Sequence, residues 1–138
     1  MLLLSIKPRY AAQLYAGTKR FEFRRSPPLR DLPGPALLYE SRPTGRVTGL
    51  LWLDTPILLT PAAIADESAD IRAYLAGARR PCALPVIAAE RFEEPATLGV
   101  VTGFTRAPQS WCYVDIAAIS ARYRPRPSRS SAARSAAE

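Results

Sequence analysis

The chain has 138 residues, 48% of them hydrophobic, enough for one domain with a real core and too few for two; its 14 prolines and 7 glycines exclude a long bundle or coiled coil. There is no histidine, and the two cysteines, Cys82 and Cys112, lie far apart, so a zinc site lacks its ligands and a histidine-dependent triad is excluded. The net charge of +7 is uneven: residues 1–30 hold seven Lys/Arg against Glu22 alone, residues 31–121 hold seven basic against ten acidic, and residues 122–138 hold five Arg against Glu138.

Basic ends around a mildly acidic middle point to a polyanionic partner, most often nucleic acid; the alternative is a solubilising surface in a chain where arginine displaces lysine. No run approaches the ~20 apolar residues that cross a bilayer. The opening MLLLSI is too short for a signal sequence. The expectation is a cytoplasmic protein with two reduced thiols, no metal, no cofactor and no membrane partner.

LLLSI (2–6) is an uninterrupted apolar run that predicts a central strand buried on both faces. Pro8 suits the first turn of a helix, Tyr10, Ala11, Leu14 and Tyr15 follow at helical spacing, and Gly17 supplies a left-handed stop. KRFEFRR then changes to a period of two, which predicts a strand with Phe21 and Phe23 towards a core and Glu22 and Arg24 projecting from the opposite face, Lys19 at its mouth. SPPLRDLPGP is irregular, and strands are expected at 36–41 and 47–55, with Gly49 marking a bulge or a close backbone approach.

Pro61 and Ser68 start helical segments, the second presenting Ile71, Tyr74 and Leu75 on a packed face and ending at Gly77. Residues 82–90 read as a strand that Pro85 confines to an edge or bulge. The stretch from Phe92 is expected to be loop until a final strand at 111–114, and DIAAISARY adds a helical turn or two. From Arg122 the chain lacks large apolar residues other than Tyr123 and is expected to be a disordered basic tail, 122–138, after a domain spanning 1–121. Together these elements predict an α+β fold: a small mixed-sheet pseudo-barrel with two or three short helices.

Three of these segments, LLLSIKPRYA at the start, GTKRFEFRR and PQSWCYV near the end, resemble the ASCH family of the PUA-like superfamily, small pseudo-barrel domains associated with RNA binding. Gly17, Lys19, Glu22 and Arg24 match the family's G-x-K-x-x-E-x-R signature, and the resemblance covers roughly residues 1–115. It implies a concave cleft that takes RNA or a nucleotide, lined by Ser5, Lys7, Tyr10, Lys19, Glu22, Arg24, Gln109 and Ser110, with Tyr39 and Ser41 as weaker additions from a strand expected beside the signature strand.

The residue types suit that chemistry. Arg24 can grip two oxygens of a phosphate and Lys19 is a point charge. A carboxylate at Glu22 accepts hydrogen bonds, from a base's exocyclic amine or from its cationic neighbours. Gln109 and Ser110 offer donors and acceptors to a base edge, or cap backbone groups where the barrel closes. The alternative function is a hydrolase. Some proteins resembling this family deacetylate N4-acetylcytidine with a lysine and a threonine nucleophile; Lys19 matches the lysine, but Glu22 occupies the threonine position, and a carboxylate is no substitute for a hydroxyl nucleophile. If the chain is an enzyme, of that kind or acting on RNA, Lys19 and Glu22 carry the catalysis.

Overall fold

The computed structural model describes residues 1–126. Strand β1 (Leu2–Ile6) sits between a parallel neighbour, β3 (Gly34–Glu40), and an antiparallel one, β7 (Trp111–Tyr113). Being flanked on both sides and covered on both faces is why its sequence is apolar without alternation: Leu2, Leu3 and Leu4 are each 0% exposed. The sheet continues from β3 to β4 (Arg46–Leu53), then β6 (Cys82–Ala96), then β2 (Phe21–Arg24), while the two-residue β5 (Ile57–Leu58) also pairs with β6.

β6 is the element that curls the sheet. Its first residues, Cys82–Pro85, pair with β2, and Cys82 and Ala83 also meet β5; from Val86 onward it pairs with β4. Pro85 stands at that change of partner, where its missing N–H costs least. Register shifts in β4 on either side of Gly49 bend the sheet further. A Cβ at Gly49 would lie 2.2 Å from the Glu90 carbonyl oxygen and 2.4 Å from the Tyr15 hydroxyl, so the close approach foreseen there is real.

Among the described residues there are four short α-helices, one more than the two or three expected, α1 (Pro8–Ala16), α2 (Pro61–Ala65), α3 (Ala69–Leu75) and α4 (Leu98–Thr102), followed by 3-10 turns at Ile116–Ala118 and Ala121–Tyr123. Proline opens α1, and Gly17 closes it at φ 78°. Thr60, Ser68 and Thr97 cap the other three through their hydroxyl oxygens. One face of the sheet buries Leu2, Leu4, Leu38, Leu51 and Leu84 against Ala11 and Leu14 of α1. The other buries Leu3, Leu37, Val47 and Leu50 against Val101, Ile119 and Tyr123. The result is a curled mixed-sheet half-barrel of the α+β class. No helix among the described residues is long and apolar enough to cross a membrane.

Several expectations are corrected. The charged face of β2, not the aromatic one, turns inward: Glu22 and Arg24 are each 5% exposed while Phe21 is 41% exposed, because the two charges satisfy each other inside. β2 pairs with β6, not with the strand carrying Tyr39. Residues 92–96 extend β6 and 98–102 form α4, where loop was expected, since Leu98 and Val101 have a core to enter. On α3 only Leu75 is fully packed; Tyr74 is exposed. Tyr123, assigned to the tail, is 5% exposed and stacks edge-on against Phe92, so the folded part runs past 121. The rest of that tail, 127–138, lies outside the described residues.

Candidate functional site

The signature strand begins right after the glycine stop of α1, and this short path brings Lys19, Glu22 and Arg24 beneath the end of β1. Glu22 uses both carboxylate oxygens: Oε1 is 2.8 Å from Lys19 Nζ and Oε2 accepts from Arg24 Nη2 at 2.8 Å. Lys19 also donates to the Phe21 carbonyl oxygen. Two cations against one carboxylate leave this buried cluster with net positive charge.

Arg24 ties the cluster to two other segments. Its Nη2 donates to the Ser5 carbonyl oxygen at 3.1 Å, and its Nη1 to both the carbonyl oxygen and Oγ of Ser110, each at 3.1 Å. The Ser5 N–H donates to the same Ser110 carbonyl at 2.9 Å, and Ser5 Oγ donates to the Pro108 carbonyl at 2.6 Å. A guanidinium so engaged, with only 6% of its side chain exposed, is a strut between β1, β2 and the segment before β7. The expectation that Arg24 presents two free donors to a phosphate is therefore corrected. Among the described residues its one donor without a hydrogen-bond partner is the buried Nε.

Of the eight residues singled out in the sequence, five (Ser5, Lys19, Glu22, Arg24 and Ser110) join in this one network. Tyr10 adjoins it, its ring 5.8 Å from Lys19 Nζ and its hydroxyl accepting from Arg9 at 2.8 Å. Lys7 and Gln109 are exposed, next to it in sequence. Gln109 lies between two anchored residues: the carbonyls of Pro108 and Ser110 are both held, which fixes the backbone at both ends of an exposed amide. The weaker candidates take no part in the network, although Ser41 lies beside it. Tyr39 packs in the core cluster of the opposite sheet face, and Ser41 donates its backbone N–H to the Ile6 carbonyl.

A second polar cluster escaped the sequence reading. Tyr15 and Thr48 share a hydroxyl hydrogen bond of 2.7 Å, and Arg91 lies 4.2 Å over the Tyr15 ring. Glu40, 6% exposed, has Oε2 3.7 Å from Arg91 Nη1 and without a hydrogen bond among the described residues. Burial pushes the Tyr15 hydroxyl up to about 12, with the nearby Glu40 adding to the rise. The one available signal was Glu40, a carboxylate closing an otherwise apolar strand. Burial likewise raises both thiols, Cys82 despite its proximity to Arg24 and Arg80. Two cavities, about 820 Å³ beside Trp52, Phe92 and Arg124 and about 490 Å³ beside Ile64 and Leu75, lie away from the Lys19 cluster.

No family model matches the chain, and no curated protein does. Among solved structures, the ASCH protein from Zymomonas mobilis superimposes with a TM-score of 0.70 at 23% identity, over 85% of this chain and 89% of that one. A serine-to-alanine variant of that protein gives 0.69 at 22% identity over 83% and 87% of the two chains. A tyrosine-to-phenylalanine variant gives 0.68 at 22% over 83% and 89%.

Proposed function

We propose, from the ASCH fold as premise, that the chain binds RNA or a nucleotide at the Lys19 cluster. The observation that carries this reading is an unspent positive charge held rigidly. Lys19 has three N–H donors, of which Glu22 and the Phe21 carbonyl occupy two, leaving one for an anionic oxygen. Its side chain is 17% exposed, enough to be met from outside. Exposed Lys7, Arg9, Arg20 and Arg25 surround it in the sequence, and the carboxylates among residues 1–31 are already engaged, Glu22 with Lys19 and Arg24 and Asp31 with the Met1 amine.

In this reading Lys19 supplies charge, Tyr10 a stacking face and Gln109 a pair of hydrogen-bonding groups for a base edge. Arg24 and Glu22 position them. Glu22 is buried with a cation against each of its oxygens, which places it poorly to meet a substrate proton and disfavours it as a general base.

The test is fluorescence anisotropy with a labelled single-stranded RNA across a salt series. Lys19→Ala is expected to weaken binding to all sequences alike and to lower the salt slope by about 0.7, the loss of one phosphate contact on a single strand. Unchanged affinity in both Lys19→Ala and Lys7→Ala would remove this site. Incubation with N4-acetylcytidine is expected to yield no product; turnover that disappears in Lys19→Ala would replace binding with hydrolysis.

A further inference from the structure

We infer that the RNA site does not end at the Lys19 cluster but continues along β7 to a second subsite, where Arg30 stacked on Tyr113 takes a neighbouring base and phosphate. The inference rests on the RNA-binding reading and extends it from a nucleotide to an oligonucleotide.

The chain itself links the two places. Ser110, pinned by Arg24 and by the Ser5 N–H, is followed at once by Trp111–Tyr113 of β7. Tyr113 is three residues on, about 10 Å along a strand, which exceeds the width of one base. Trp111 and Tyr113 share a face of the strand, with ring centroids 5.3 Å apart in an edge-on arrangement that fixes the tyrosine ring.

That ring organises the segment after β2. The Tyr113 hydroxyl accepts from the backbone N–H groups of Leu29 and Arg30, at 3.0 and 3.2 Å. The Arg30 guanidinium then lies 4.0 Å over the same ring. One face of its plane is covered by tyrosine, and the residue is exposed, so the other face and the N–H edge are available. Arg30 takes part in none of the ion pairs among the described residues; its neighbour Asp31 is held by the Met1 amine instead. Leu29, 81% exposed beside it, adds an apolar surface that the fold itself does not use.

Pro27 and Pro28, the latter buried, stiffen the approach to this loop, so its ordering is spent before any ligand arrives. A flat cation with one free face suits a nucleobase, and its N–H groups suit the adjoining phosphate.

Binding of cytidine 5′-monophosphate and of a labelled octacytidylate RNA is measured for the wild type, Arg30→Ala, Arg30→Lys and Lys19→Ala, with circular dichroism confirming each fold. The wild type is expected to hold the octamer at least ~10-fold more tightly than the monophosphate. Arg30→Ala should erase most of that gain, on the order of 10-fold for one lost stacking contact, and leave the monophosphate unchanged. Arg30→Lys should keep the salt slope without restoring the affinity, because an ammonium does not stack as a plane. If Arg30→Ala leaves octamer affinity intact while Lys19→Ala weakens both ligands, the second subsite is wrong and the RNA reading stands. If the wild type binds neither ligand, the RNA reading itself falls, and with it this extension.

Discussion

Replacing Arg24 with alanine separates a strut from a ligand contact. Four hydrogen bonds leave with the guanidinium: two to Ser110, one to Ser5 and one to Glu22. Ser110's carbonyl keeps the Ser5 N–H as a donor, but Glu22 stays buried with Lys19 as its one remaining cation. Removing one partner of a buried charge pair costs about 3–5 kcal/mol. For a chain of this size that lowers the melting temperature by roughly 10–15 °C. Lys19→Ala, at a more exposed position, should cost about 1 kcal/mol or less. Urea titrations of Glu22→Gln, Arg24→Ala and Glu22→Gln/Arg24→Ala give the coupling directly; the double variant, which removes both charges of the pair, is expected to recover about 2 kcal/mol relative to the sum of the singles. An Arg24→Ala protein that loses less than 1 kcal/mol yet binds RNA far more weakly would refute the strut and return Arg24 to the ligand.

Three further outcomes follow from the geometry. Gly49→Ala places a methyl group against the Glu90 carbonyl and the Tyr15 hydroxyl and should cost about 3 kcal/mol in a urea titration, since backbone cannot step aside as a side chain can. The Tyr15 hydroxyl, raised from 10.0 to about 12, makes its neutral form part of the fold: the stability it contributes is complete below pH 10 and is lost as pH rises through 12. Absorbance titration should show a tyrosine ionising later than the others, and Tyr15→Phe should remove that late step together with the alkaline loss of stability. Tyr123→Ala should cost about 3 kcal/mol by thermal melting, whereas Tyr74→Ala should change stability by less than about 0.5 kcal/mol.

Local chemistry made much of this fold legible. β1 and α1 have the bounds that an apolar run, a proline and a glycine predict, and Gly49 is where neither strand nor helix leaves room for a side chain. Alternation also found β2 and grouped Glu22 with Arg24, but it named the wrong face. A period of two says which residues point together, not which way, and the usual rule that aromatics go inward fails where a carboxylate and two cations neutralise one another. The partner of β2 and the curl of β6 depend on pairings between distant segments, which no window of sequence contains. Arg24's role was hidden for the same reason: its acceptors, Ser5 and Ser110, lie 19 and 86 residues away.

The place of β1 between β3 and β7 has a consequence for biosynthesis. β1 is made before either of its neighbours, and its second edge finds no mate until residues 111–113 have been made. At ~5–20 residues per second that interval lasts on the order of ten seconds. Throughout it, three consecutive leucines wait on an open strand, which makes nascent β1 a natural client for whatever chaperone stands at the tunnel exit.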